Sequence, residues 1–273
     1  MAPSQAVDII SRFPSTRIGA SGEVQTRDPA MKSFVVLRAI VDSDVEEWSA
    51  RRLAAELGMS STTVHRALQL LVAAGFVVQD DERLTYRLGE ELHRVARRVA
   101  DRFPLPELAA PHLAEVARRT GETTLLGLFD ATRGEMMFVS EAPGSYPLRY
   151  VIPLDSWVPV TSGASGLSIL AWLDPDQIDE ICKRGPGLSG EQSLANIHAE
   201  LAEIRERGYA FSRSRRIPGA VGVAAAIFGS NRQVRGTVIV TTPELRFESE
   251  MEEAFASLVR DCAQRISSEL GAQ

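Results

Sequence analysis

The sequence predicts an α+β chain in two domains. The first is small and helical, with a β-hairpin at its end. In the second, helices cover paired strands. Three observations carry this reading. A length of 273 residues favours two domains over one. From Met31 to Gly75, apolar residues recur at the helical spacing and two short extended runs follow. Beyond Pro104 and Pro106, helical stretches alternate with extended ones.

Residues 1–29, rich in Ser, Pro, Gly and Ala, have no sustained periodicity and read as a flexible tail. Phe34, Leu37, Ala39, Ile40 and Val41 fit a first helix, ended by the acidic loop 42–47. Ser49 is placed to cap a second helix that turns Leu53, Ala54 and Leu57 inward and Arg51 and Arg52 outward. Gly58 ends it, because a left-handed residue there needs no Cβ. Ser60 or Ser61 then caps a third helix, which buries Val64, Ala67, Leu68, Leu71 and Val72 and closes at Gly75. Phe76–Gln79 and Leu84–Leu88 read as a hairpin around the acidic turn 80–82. Three helices and a hairpin in this order are the layout of a winged helix-turn-helix, expected over 30–89.

A helix from Glu90 to about Arg102 carries an apolar seam, Leu88, Leu92, Val95 and Val99, beside a basic face of Arg94, Arg97, Arg98 and Arg102. A seam that narrow suits another helix, such as one from a partner chain. Pro104 and Pro106 mark a hinge, so 90–105 reads as a linker and 106–273 as the second domain. There, helices are expected at 108–119, 165–172, 175–183, 194–207 and 249–270. Strands are expected at 123–129, 135–141, 148–152, 221–228 and 236–242.

In a helix-turn-helix the third helix enters the major groove with its N-terminal residues at base edges. Ser60, Ser61, Thr62, Thr63, His65 and Arg66 supply short or forked polar side chains there, with Arg51 and Arg52 on the helix before and Arg83 and Arg87 beside the wing tip. The same Ser-Ser-Thr-Thr run is also a good helix cap, and its neighbours decide for DNA. The net charge of −6 argues against non-specific coating of nucleic acid, so affinity must come from local charge and from more than one subunit. Dimers reading half-sites about 34 Å apart are the usual solution.

Other classes fit poorly. The N-terminus lacks the basic and apolar segments of a signal peptide, and no apolar run is long enough to span a membrane. Two distant cysteines, Cys182 and Cys262, exclude a disulfide framework and fit a reducing cytoplasm. Gly163-Ala164-Ser165-Gly166-Leu167 lacks the second glycine of a nucleophile elbow at the required spacing. His65, His93, His112 and His198 show no metal-ligand spacing, so neither catalysis nor a cofactor is expected.

The stretches WSARRLAAELGMSSTTVHRALQLLVAAGFV and YRLGEELHRVARR resemble the DNA-binding half of the IclR family of bacterial transcriptional regulators. LAEVARRTGETTLLGLFD, LAEIRERGYAFS and LVRDCAQRISSELG resemble that family's effector-binding half, so the likeness runs from about Met31 to Gly271. The resemblance implies a dimer or dimer of dimers on double-stranded operator DNA, a repressor as the expected sense, and a GAF-like second domain. In that domain a small organic effector, often a carboxylate or an aromatic, changes DNA affinity.

The family's pocket loop falls on Val160–Leu170, with Gly163, Ala164 and Ser165 at the effector and the amides of Ala164 and Ser165 facing it. Its other pocket positions fall on Ser212, Gly222, Ile239 and Thr241. Thr161 stands where the family usually has His, Leu167 where it has Lys, Ser212 where an acid is common, and Ile239 where a polar residue is common. These departures predict a less polar or larger effector. The alternatives are a regulator without an effector, its loop a plain helix cap, and a cytoplasmic sensor acting through protein partners. The run Arg213, Arg215, Arg216 reads as a solvated face, with an acidic ligand as second choice.

Overall fold

The computed structural model describes residues 29–184 and 194–272, so the tail expected at 1–29 lies outside them except for Pro29. The chain divides into two units, 1–103 and 104–273. In the first, helix α1 (Pro29–Val41) buries Val35, Val36, Ala39 and Ile40. Phe34, grouped with that stripe from the sequence, is instead 60% exposed. Helix α2 (Ala50–Leu57) starts where the Ser49 Oγ accepts the Arg52 amide at 3.2 Å, and stops at Gly58 with φ +60°. A residue with a Cβ would be strained there. Helix α3 (Ser61–Ala73) follows, with Val64, Ala67, Leu68 and Leu71 buried and Val72 at the margin.

Strands β1 (Val77–Asp80) and β2 (Thr85–Leu88) form the wing, joined through a turn in which Leu84 has φ +54°. Trp48, unassigned by the sequence, adds a bridge. Its amide and carbonyl exchange hydrogen bonds with Tyr86 at 2.8 and 2.7 Å, and its ring is buried in the unit's core. The wing is thereby tied to the start of α2. Helix α4 (Glu90–Ala100) follows and buries none of its own residues.

The second unit is a six-stranded antiparallel sheet in the order β5-β4-β3-β8-β7-β6. Its strands are β3 (Thr123–Asp130), β4 (Glu135–Ala142), β5 (Trp157–Pro159), β6 (Ala210–Arg213), β7 (Ala220–Phe228) and β8 (Val234–Pro243). Side chains alternate between faces along a strand, so one sheet feeds two cores. Leu126, Val223, Val238 and Val240 pack with helices α5 (Leu105–Thr120) and α9 (Met251–Glu269). Leu125, Ala224 and Ile239 face the opposite core, with helices α6 (Gly163–Leu170), α7 (Pro175–Arg184) and α8 (Leu194–Arg207).

One strand expectation needs correction, and the two edge strands were missed. Residues 148–152 form no strand. Pro147 and Pro153 flank them, each without an amide to donate, and Leu148 and Val151 stand 64% and 82% exposed. The edge beside β4 is taken by Trp157–Pro159, a run too short to show a period. On the far edge, Ala210–Arg213 is a strand that the sequence left unassigned, its alternation masked by the arginines that follow.

Glu122 locks the middle of the sheet at its rim. The residue is 3% exposed, and its carboxylate accepts from Arg246 Nε at 2.6 Å, Arg246 Nη2 at 2.8 Å and Thr242 Oγ1 at 2.7 Å. It joins the start of β3 to the end of β8. Removing one partner leaves the other charge poorly solvated, at a cost of about 3 kcal/mol. Glu122→Ala is expected to lower unfolding stability by about that amount in urea titrations. A change below about 0.5 kcal/mol would mean that solvent already screens the pair.

Candidate functional site

Two surfaces carry chemistry. On the first unit, Ser60 is the cap of α3: its Oγ accepts the Thr63 amide at 3.3 Å and shares a hydrogen bond with Thr63 Oγ1 at 2.8 Å. That resolves the choice between Ser60 and Ser61, and it occupies Thr63 as well. Ser61, Thr62, His65 and Arg66 are left exposed on the first two turns of α3. With Ala50, Arg51 and Gln69 they line one shallow concavity between the start of α2 and α3. Gln69 was missed from the sequence, although 62, 65, 66 and 69 share one helical face. Its amide donates to Gln79 Oε1 at 2.9 Å, bracing the helix against the wing.

The remaining predicted arginines lie elsewhere and meet carboxylates. Arg52 pairs with Glu56 at 3.2 Å and stacks 4.6 Å over the Trp48 ring. Arg83 pairs with Glu47 at 3.3 Å, and Arg87 lies 3.8 Å from Glu90. Arg51 and Arg66 have no such ion pair among the described residues.

The second surface is a small cavity in the second unit. The strand registers align Ser212 with Gly222, Gly222 with Thr241 and Thr241 with Thr123. A row across an antiparallel sheet points one way, and Ile239, two residues from Thr241, points with it. The N-terminus of α6 covers this row. Gly222 permits the approach, since a Cβ there would stand 3.0 Å from Ile239 Cδ1 and 3.4 Å from Ala164 Cβ. Gly163, Ala164, Ser165, Ser212, Gly222, Ile239 and Thr241, all expected together, do line one cavity. Thr161 and Leu167 are buried.

The polar detail differs from the expectation. The Ala164 amide, expected to face an effector, donates to Ser212 Oγ at 2.8 Å. The arginine run divides three ways: Arg213 lies 3.6 Å from Glu244, Arg215 pairs with Glu200, and Arg216 lines the cavity. Arg216 donates to the carbonyls of Pro159 and Ser162 and lies across Gly163, whose missing Cβ makes room for it. Burial lowers its pKa to about 10, so it stays charged at neutral pH. Ser165 Oγ, Thr241 Oγ1 and Arg216 Nε are buried without hydrogen-bond partners.

Family models match both units: the IclR helix-turn-helix domain over residues 29–81, and the bacterial transcriptional regulator IclR C-terminal domain over 97–268. The chain belongs to the IclR family. It is a DNA-binding transcriptional regulator with the family's winged helix-turn-helix and GAF-like effector domain. Among relatives of this IclR chain is the HTH-type transcriptional regulator KdgR of Escherichia coli, 27% identical, covering 88% of this chain and 92% of that protein. The Transcriptional repressor IclR of Escherichia coli is 24% identical, over 91% and 90%. The crystal structure of the Thermotoga maritima IclR matches with a TM-score of 0.69 and 27% identity, covering 89% of this chain and 98% of that one. Among the described residues of this IclR protein, no group of three or more His, Cys, Asp or Glu could hold a metal, and no helix is long and apolar enough to cross a membrane.

The Ser60 cap orders the leading turn of α3. Ser60→Ala is expected to lower stability by about 1 kcal/mol, read from the urea midpoint, while Ser61→Ala changes it by under about 0.5 kcal/mol. Equal losses would show that the cap is shared.

Proposed function

We propose that this IclR regulator binds operator DNA as a dimer through the concavity of α2 and α3. In this reading it acts as a repressor in the cytoplasm, and a small organic effector in the second unit's cavity changes its DNA affinity. The observation that carries the DNA reading is the gathering of Arg51, Ser61, Thr62, His65 and Arg66 on one exposed face. Arg66 is forked to meet a guanine edge, Arg51 to meet a phosphate, and the hydroxyls serve either. Arg52, Arg83 and Arg87 would first have to leave a carboxylate, so they contribute less. The repressor reading rests on kinship with a relative that bears that name. Both cysteines are free and buried thiols, which suits a reducing compartment.

The dimer reading rests on α4. Leu88 and Val99 are 41% and 50% exposed, Leu92 and Val95 are half-buried, and no residue of the helix is buried by its own chain. An apolar seam left open on a helix is the kind of surface that a partner helix covers. The effector reading rests on the three buried polar atoms without partners, because such atoms are costly unless something meets them.

Arg66→Ala is expected to weaken specific binding to the promoter region roughly 5- to 150-fold in gel-shift assays, a loss of about 1–3 kcal/mol, and Arg51→Ala to weaken it across all sequences. Arg83→Ala should do less. Unchanged affinity on replacing both Arg51 and Arg66 would overturn the concavity as the DNA face. The double variant Leu92→Glu/Val99→Glu is expected to give a monomer by light scattering, with weakened operator binding. A dimer of wild-type affinity would place the interface elsewhere.

A further inference from the structure

We propose that Gln69 reads an adenine beside the base that Arg66 meets, and that the wing sets its aim through Gln79 and Asp81. This rests on the concavity as the DNA face, and it adds the base that one residue selects and the residues that position it. Three side chains carry the inference. Gln69 Nε2 donates to Gln79 Oε1 at 2.9 Å, and Gln79 Nε2 donates to Asp81 Oδ1 at 2.8 Å. Gln69 stands exposed on α3 and lines the concavity with Arg51, Thr62, His65 and Arg66.

The chain of amides has one direction because it ends on an acid. A carboxylate only accepts, so Asp81 draws the Nε2 side of Gln79 toward itself. That turns Gln79 Oε1 toward α3, and Gln69 must meet it with nitrogen. The second N–H of Gln69 and its Oε1 then remain, without partners among the described residues. The relay also stands on a rigid base. Gln79 pairs with Tyr86 across the wing, and Tyr86 exchanges two backbone hydrogen bonds with Trp48, whose ring is buried. Asp80 Oδ1 accepts the amides of Glu82 and Arg83, which holds the turn that carries Asp81.

An amide held this way offers a donor and an acceptor side by side, and the four bases answer it differently. Adenine presents N7 and its N6 amino group in the major groove, an acceptor beside a donor. Guanine presents two acceptors, so its O6 would face Gln69 Oε1. Cytosine offers only its amino group there, and thymine its O4 and a methyl. A phosphate accepts and does not donate, which leaves Oε1 against an anion. The match is adenine. On a helix rising about 1.5 Å per residue, Gln69 stands roughly 4.5 Å beyond Arg66, little more than one base-pair step of about 3.4 Å. The same relay accounts for an acid at the tip of a DNA-binding wing, where like charge otherwise weakens approach to phosphates.

The test uses the full-length protein and a library of duplexes with a randomised core, sequenced after selection. Gel-shift titrations of the selected duplex and its single-base variants follow. Beside the position whose preference is lost in Arg66→Ala, one position is expected to select adenine by roughly 5- to 150-fold. Gln69→Leu is expected to abolish that preference alone, and Gln69→Glu to move it toward cytosine, whose amino group a carboxylate accepts. Asp81→Asn separates aim from charge. With an end that can donate as well as accept, the relay loses its direction, so the adenine preference should fall severalfold. Losing a negative charge should at the same time strengthen binding to unselected duplexes at low salt. A tip that was merely acidic would give the second effect without the first. Gln79→Leu, which breaks the relay in the middle, should relax the adenine position and leave the Arg66 position intact. An unchanged preference in Gln69→Leu would overturn the reading role. A preference lost in Gln69→Leu but kept in either Asp81→Asn or Gln79→Leu would overturn the relay. If no sequence is selected, or selection survives replacement of both Arg51 and Arg66, the concavity fails as the DNA face and takes this inference with it.

Discussion

The second unit depends on the complete burial of α6. All eight of its residues are buried, so the helix has no solvent face on which to satisfy its polar groups. Small residues make this possible. A Cβ on Gly166 would stand 2.3 Å from the Val160 carbonyl oxygen, so the loop can fold back onto the helix only over a glycine. The sheet supplies the polar partners. Ser212 accepts the Ala164 amide, and Ser168 donates to the Ser165 carbonyl while sharing a 2.8 Å hydrogen bond with Thr237. Rows of the sheet therefore fix the depth and rotation of α6, and with them the cavity beneath its first turn. The atoms left over, Ser165 Oγ and Thr241 Oγ1, lie where helix and sheet do not quite meet.

Charge follows a similar economy in the first unit. A chain of net charge −6 cannot rely on a general positive field to approach DNA. Carboxylates nearby instead take up some of its arginines, Glu47 of the acidic loop holding Arg83 and Glu56 of α2 holding Arg52. These exposed pairs are worth little in stability. Their larger effect is on recognition, because a paired guanidinium meets a phosphate only by exchanging one anion for another. Arg51 and Arg66 carry no such cost, which concentrates the positive charge between the two helices that the turn holds together. On the DNA reading proposed above, binding focused on so few cations would be weak for one subunit, and two linked copies would strengthen it.

Much of the first unit was legible because each boundary has a chemical marker: Ser49 and the Ser60-Ser61 pair as caps, Gly58 as the left-handed stop, and the acidic turn between two short strands. The wing's tie to Trp48 was not, since a two-residue bridge leaves no periodicity. In the second unit, long helices and the inner strands declared themselves, while Trp157–Pro159 and Ala210–Arg213 were too short to do so. The cavity's residues were legible only through family resemblance: Ser212, Gly222 and Thr241 are neighbours by register across three strands, which no local pattern reveals. Arg216 was hidden for a further reason. As a string, Arg213-Ser214-Arg215-Arg216 is a charged surface run. Ser214 at φ +51° and Gly219 at φ +75° turn the chain back on itself, and Arg216 comes to lie over Gly163.

That reversal bears on how a ligand could alter a regulator of this build. A ligand with equal affinity for two states shifts nothing, however tightly it binds. A cavity of about 30 Å³ is narrow, so an effector larger than it would bind a rearranged pocket and would favour that arrangement by its differential affinity. The parts nearest the rearrangement are the Arg216 side chain and the carbonyls it holds, those of Pro159 at the end of β5 and Ser162 at the start of α6. Withdrawing Arg216 would free both carbonyls at once, where the edge strand β5 leads through 160–162 into the buried α6. The Arg216 side chain thus ties the cavity's lining to the backbone on both sides of the turn at 160–162.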